Sequence, residues 1–179
     1  MDLQLLWKRI VRAARLDVQL YEEVEADRSA LGQASVVVIL SSLAAGIGGM
    51  TATGFSALIA ITVAALLSWY LWAWLTYLIG TRLLPEAQTS ADLGELLRTI
   101  GFSSSPGLIR VLGVVPALTG AVNLVAGIWM LVAMVIAVRQ ALDYHSTWRA
   151  AGVCLVGWLV QLAVLALVFS LLGPGGHSQ

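Results

Sequence analysis

The chain has 179 residues, of which 59% are hydrophobic and 11% charged, with ten Lys and Arg balanced by ten Asp and Glu. A soluble domain carries roughly a quarter of its residues as charged groups, so this composition excludes an ordinary globular enzyme and points to a polytopic membrane domain. Zero net charge leaves no basic field for nucleic acid, and one cysteine with two histidines makes neither an internal disulfide nor a Cys/His metal set.

Residues 1–16 place Leu3, Leu6, Trp7, Ile10 and Ala14 on one helical face and Gln4, Lys8, Arg12 and Arg15 on the other. This spacing predicts a cytoplasmic amphipathic helix in the membrane interface, its basic face suited to anionic lipid, or else packed on the rest of the domain. An acidic cluster follows, Asp17, Glu22, Glu23, Glu25 and Asp27, interrupted by Leu20, Tyr21 and Val24. It reads as a solvated linker, with a latch onto the basic helix as the alternative. No apolar core with a small-residue cleavage site occurs in residues 1–32, so the first apolar run is read as a retained span.

Membrane segments are predicted over residues 33–50 and 55–79. The first carries Ser42 with Gly46 and Ala45 with Gly49, small pairs four apart that let another helix approach closely. The second carries Trp69, Tyr70, Trp72, Trp74 and Tyr77. Trp74 and Tyr77 suit an interfacial belt. Trp69 and Tyr70 lie about 15 Å deep by helix rise and read as an aromatic seam, with the Tyr70 hydroxyl bonded to a neighbour. Over 89–100, Leu93, Leu96, Leu97 and Ile100 form the stripe of a second interfacial helix, capped by Thr89 or Ser90 and stopped by a left-handed Gly101.

Residues 107–142 as one helix would run roughly 54 Å, against roughly 30 Å of hydrocarbon. Pro116, Gly120 and Asn123 interrupt the run and predict a hairpin with arms 106–119 and 121–138, the first opened by Ser105 and Pro106 and bent at Pro116. A last segment over 150–172 precedes a short polar tail. All charged residues fall in 1–32, 81–110 and 139–150. Two arms bring these three segments to one side of the membrane, a positive-inside pattern that a re-entrant hairpin satisfies equally. The fold class is therefore all-α: a single integral membrane domain over 1–179 with five membrane segments, the third and fourth forming a tight helical hairpin. The N-terminus is cytoplasmic, the C-terminus opposite, and two amphipathic interfacial helices lie on the cytoplasmic side.

Within the spans the sequence holds no Asp, Glu, Lys, Arg or His apart from Arg110 near a helix start, which argues against a proton path. No catalytic site, cofactor or metal is expected. A lipid or partner surface is assigned to Lys8, Arg12, Arg15, Glu22, Glu23, Arg98, Arg139 and Arg149. An intramembrane polar site is assigned to Pro106, Pro116, Asn123 and Gln161, the two amides read chiefly as glue between helices. Asp143, Tyr144, His145 and Arg149 read as a loop that fixes two helix ends.

Several blocks carry a family resemblance. Leu16 and Asp17 are followed by Tyr21, Glu22, Glu23, Val24, Glu25, Ala26 and Asp27. Arg98, Gly101, Phe102, Pro106 and Gly107 precede the hydrophobic pair, and Ala137, Val138, Arg139, Gln140, Ala141, Leu142 and Asp143 precede Trp148, Arg149 and Ala150. In these blocks the chain resembles bacterial Yip-domain proteins. The resemblance implies a five-helix membrane domain with a cytoplasmic N-terminus. The GTPase binding of the eukaryotic branch does not carry over, because the Asp-Leu-Tyr-Gly-Pro segment of that branch is missing here. The expectation is a non-catalytic scaffold of a bacterial cytoplasmic membrane that binds lipids and other membrane proteins or itself, and no nucleic acid. A small channel or transporter near Pro116, Asn123 and Gln161 is the alternative.

Overall fold

A computed structural model of the protein describes residues 2–49 and 55–172, which hold helices and no strand. Two short helices, α1 (Leu3–Ala14) and α2 (Val18–Ala26), lead into α3 (Ala30–Gly48). Helix α4 (Phe55–Leu78) runs on through a π-helical turn, Ile79–Leu83. After α5 (Leu93–Phe102), the segment Ser105–Val114, here called the arm, is 3-10 helical; α6 (Thr119–Ala141) and α7 (Thr147–Leu172) complete the chain. The expected loop Thr51 to Gly54, with Met50 before it, and the tail after Leu172 lie outside the described residues.

Three stretches, Ala30–Gly48, Leu58–Leu83 and Thr119–Ala141, are long and apolar enough to cross a membrane, with mean hydropathies of 1.9, 1.9 and 2.4. Thr147–Ala163 is a shorter apolar stretch of α7. Exposed Ile59, Val63 and Leu67 on α4, Leu124, Ile128 and Leu131 on α6, and Leu155, Leu159 and Leu162 on α7 continue one apolar surface. Water-soluble monomers do not carry apolar area on this scale; hydrocarbon solvates it.

The predicted α-helical first arm is instead a 3-10 helix, and the reason is its neighbour. At a rise of about 2.0 Å per residue, ten residues cover about 20 Å as a 3-10 helix and about 15 Å as an α-helix. The stretched form lets the chain follow α3 from Gly101 to Gly113 through three close approaches. A Cβ on Gly101 would stand 2.7 Å from that of Ala34, one on Gly107 would collide with the Ser41 hydroxyl, and one on Gly48 would collide with the Arg110 carbonyl. Gly113 completes the last contact, at 3.1 Å from the Gly48 carbonyl oxygen by the same construction. Residue numbers rise together on the two elements, so they run parallel. The six-residue step from Gly107 to Gly113 spans about 12 Å, close to the roughly 10.5 Å of seven residues of α-helix. Ser104, not Ser105, occupies the cap position of the arm, and it makes no side-chain capping bond. The arm ends where Val115, extended before Pro116, turns the chain back, and Thr119 closes the corner by donating to the Gly113 carbonyl at 2.7 Å.

The other elements alternate in direction. On α4, Leu58 lies against Gly46 and Thr62 is bonded to Ser42, so α4 runs antiparallel to α3. Met134 of α6 meets Ser103 and Met130 meets Gly107, so α6 runs antiparallel to the arm. Arg149 reaches Pro85 while Gly157 faces Trp72, so α7 runs antiparallel to α4. The beginnings of α3, the arm and α7 and the ends of α4 and α6 therefore gather at one end of the bundle, beside α1, α2 and α5.

Two expectations for this end are corrected. The helix predicted at the interface over 89–100 is a core helix: every residue of α5 from Leu96 onward is buried, wedged among α2, α3, α4 and α6. It starts at Asp92, whose side chain accepts from Glu95 N at 2.9 Å while Glu95 accepts from Asp92 N at 2.7 Å, and Gly101 continues the helix against Ala34 instead of ending it. The acidic stretch is no linker but the helix α2, with Leu20, Tyr21 and Val24 fully buried.

The glycine contacts predict a sharp positional contrast. Gly48→Val should lower stability in detergent by about 2 kcal/mol or more, because the backbone it meets has nowhere to move. Gly120→Ala, with nothing near its Cβ position, should stay within about 0.5 kcal/mol. Thermal unfolding followed by circular dichroism measures both.

Candidate functional site

The polar residues concentrate at the end of the bundle that α1 and α2 cover. Asp2 starts α1, its carboxylate accepting from Gln4 N at 2.9 Å and Leu5 N at 3.3 Å. Leu16 takes a left-handed conformation (φ 61°) that turns the chain sharply, and Asp17 then caps α2 by accepting from Gln19 N at 3.0 Å. The turn lays α2 back along α1, which brings acids over bases.

Arg9 is the hub. Its Nε donates to Glu23 at 3.0 Å, Nη1 to Gln33 at 2.9 Å and Nη2 to Asp27 at 2.9 Å, so one planar fork ties α1 to α2 and to the first turn of α3. Arg12 donates to Asp17 at 2.7 Å and to the second oxygen of Glu23. The hydrogen bond from Arg12 holds the Asp17 carboxyl below its usual range. Partial burial pushes Glu23 up, but hydrogen bonds from Arg12 and Arg9 prevail and keep it low. Asp27 is lowered by hydrogen bonds from Ser29 and Arg9. Arg98 of α5, only 5% exposed, donates through Nε to the carbonyls of Val24 and Glu25 at 3.0 Å and caps the C-terminus of α2, where a cation also meets the negative end of the helix dipole.

On the opposite flank the turn after α6 locks onto the end of α4. Asp143 is left-handed (φ 53°), and the Tyr144 hydroxyl lies 2.7 Å from the Leu84 carbonyl and 3.0 Å from that of Gly80, sharing one proton between groups the π turn leaves open. Gly80 itself packs on Leu142. Glu86 accepts from His145 N at 3.0 Å, and Arg149 donates to the Pro85 carbonyl at 3.1 Å.

Between the two flanks opens a cleft of about 510 Å³ lined by Glu22, Glu25, Glu95, Arg139, Asp143 and His145, among others. Burial raises the Glu25 carboxyl to about 7, and Asp143, Glu95 and Glu22 push it the same way while Arg98 opposes. Such a cleft can attract a cationic group or take up a proton. No three His, Cys, Asp or Glu among the described residues stand together as a metal site.

The residues singled out from the sequence separate into three groups. Lys8 and Arg15 are exposed on or just after α1, as are Trp7 at 64% and Leu3 at 69%, whereas Glu22 is exposed on α2 and accepts from Gln140 at the cleft. Arg149 is exposed and Arg139 half-buried, its Nε donating to the Tyr144 carbonyl at 3.2 Å. Arg12 and Glu23 pair with each other, and Arg98 lies inside the protein; the assignment of these three to an open surface is corrected, because Arg12 is bound by Asp17 and Glu23, Glu23 by Arg9 and Arg12, and Arg98 by the backbone of α2. The intramembrane group does not assemble: Pro106 is buried at the near end of the arm, Pro116 is exposed at its far end, and the side-chain amides of Asn123 on α6 and Gln161 on α7 make no hydrogen bond among the described residues. The expected bond of the Tyr70 hydroxyl is likewise missing among the described residues, and the side chain is 53% exposed. Trp69 instead donates to the Leu97 carbonyl at 3.1 Å.

Arg9, Glu25, Glu95 and Gln33 are not assigned to a site from the sequence, although Glu25 stands in its acidic cluster. For Arg9 the signal was present: Leu6, Arg9, Ile10 and Ala13 make the buried stripe of α1, rotated by part of a turn from the most apolar one.

Among known families, the model of the Yip1 domain matches residues 18–168, from the start of α2 into α7. No curated protein and no solved structure matches the chain.

Two outcomes follow from the ion pairs and the cleft. Arg9→Met should cost about 3 kcal/mol by removing the fork that Glu23, Asp27 and Gln33 share, which leaves Glu23 to Arg12 and Asp27 to Ser29, while Lys8→Gln should change stability by less than about 0.5 kcal/mol. Glu25 runs opposite to its neighbours in pH. Its raised folded value makes the native state bind the extra proton, so its contribution is favourable in acid and is lost as pH rises from its ordinary value of 4.5 towards about 7. Glu25→Gln should therefore stabilise the protein more at pH 8 than at pH 5, by a difference on the order of 1 kcal/mol after solvent screening. Paired melts of wild type and variant at the two pH values measure it.

Proposed function

The chain belongs to the Yip1 domain family, and on that footing we propose that it is a non-catalytic scaffold of a bacterial cytoplasmic membrane. In this reading the five passes of the bundle are five membrane segments, with the N-terminus cytoplasmic and the C-terminus opposite. The charged end faces the cytoplasm and gathers partner membrane proteins and lipid.

The observation that carries the reading is how the polar groups at this end are used. Arg9, Arg12, Arg98 and Tyr144 all bind the chain's own backbone or carboxylates, so they act as structure and are not free for turnover. What remains open is adhesive. Helix α1 offers Leu3 and Trp7 beside Lys8 and Arg15, an apolar ridge flanked by cations that suits a headgroup layer. Trp148, 88% exposed beside Arg149, repeats the pairing on the other flank. Between them the acidic cleft suits a basic segment of a partner.

Three measurements test the proposal. Single cysteines at Leu118 to Ala121 in a Cys154→Ser background should react with an impermeant maleimide from outside the cell; protection from both sides would make the arm re-entrant. In-cell crosslinking from position 22 or 143 should capture the same membrane proteins in replicate preparations, and a Lys8→Gln/Arg15→Gln variant should lose about half or more of its binding to anionic liposomes. Absence of both reproducible partners and liposome binding would refute the scaffold.

A further inference from the structure

Arg110 does not belong with the other charges. Its carbonyl meets Gly48, the last residue of α3, at the end of that helix farthest from α1 and α2. Every acidic side chain of the chain lies in residues 2–27, 86–95 or at 143, which the fold gathers at the opposite end. Arg110 accordingly takes part in none of the ion pairs among the described residues. Its Nε is enclosed and has no hydrogen-bond partner among the described residues. The residue as a whole is half-buried, so part of the side chain remains accessible at the edge of the bundle. The residues that follow on the arm and its turn are apolar and exposed: Val111, Leu112, Val114, Val115 and Leu118.

A guanidinium does not shed its proton, so the charge persists in these surroundings and demands an anion. The chain supplies no acidic side chain at this end. In a bilayer the remaining anion is the lipid phosphate, whose two free oxygens match the guanidinium fork, and the neighbouring exposed apolar side chains offer contact for acyl chains. We propose that Arg110 binds the phosphate of an anionic phospholipid in the bilayer half remote from the charged end. A zwitterionic lipid brings its own ammonium and leaves the Arg110 charge less well compensated, which favours the anionic class. The site stands apart from the α1 surface and rests on the reading of the arm as a membrane pass.

The test uses the full chain in detergent, with phosphatidylglycerol, phosphatidylcholine and inorganic phosphate added separately. Phosphatidylglycerol should raise the melting temperature of the wild type by about 5 °C at saturation, and native mass spectrometry should show a retained lipid of that class. Arg110→Gln should lose most of the shift and the retained lipid, Arg110→Lys should keep part of both, and Lys8→Gln/Arg15→Gln at the other end should keep both. An equal shift with inorganic phosphate would make the site one for a free anion, and an unchanged lipid shift in Arg110→Gln would overturn the proposal. Leu112→Cys in the Cys154→Ser background separates the two readings. Labelling from outside with no lipid effect at Arg110 refutes the lipid site alone, whereas labelling from the cytoplasmic side refutes the membrane pass on which it rests.

Discussion

The close approach of two backbones, α3 and the arm, sets the rest of the architecture. Gly48, Gly107 and Gly113 remove the side chains that would hold the elements apart, and Ala34 and Ser41 keep the facing stripe of α3 small. In hydrocarbon, apolar surface alone does not drive helices together, so contact area gained by such close packing must. The 3-10 form has poorer hydrogen-bond geometry than an α-helix and is uncommon at this length. It persists here because α3 on one side and α6 on the other cover it, and because its greater rise keeps the glycines in step with α3.

That parallel pairing in turn explains the charged end. Two parallel neighbours need a long connection between them, and α4, the π turn and α5 provide it. The connection deposits α5 against α2, where Arg98 closes the open carbonyls of α2. With α5 in place, the apolar faces of α1 and α2 have a floor, formed by Phe102, Ala34 and Val37. Burial of Tyr21 and Leu20 on that floor positions Glu23 and Asp27 for Arg9. The ion pairs gain from being fixed: Arg9 is almost fully enclosed and forks to three acceptors, a different case from the exposed pairs that contribute little.

The segregation of charge also gives Arg110 its meaning. Counted along the chain it stands beside Arg98, only a short stretch after the polar loop, and passes for one more near-side cation. The arm's rise moves it to the level of Gly48. An apolar, acid-free region holding one permanent cation is a different electrostatic object from a polar loop holding several.

Much of the organisation was legible in the residues. Apolar runs revealed α3, α4, α6 and α7, because bilayer thickness and the helical rise leave few alternatives for such runs. The hairpin was legible too, but its corner falls at Pro116, where the sequence predicts a bend within the first arm, and Gly120 lies inside α6. The membrane class and the collection of nearly all charge at one end were thus determined by the sequence itself. Tertiary structure alone decided which charges are internal fasteners and which stay open, that the arm is 3-10 helical, that α5 is core and not surface, and that Arg110 is isolated. Those outcomes depend on contacts between residues far apart in the chain, such as Arg98 with Val24, Trp129 with Ala14 and Gly48 with Arg110. Hydropathy and periodicity describe what a segment requires of its solvent and carry no information about which neighbour meets it.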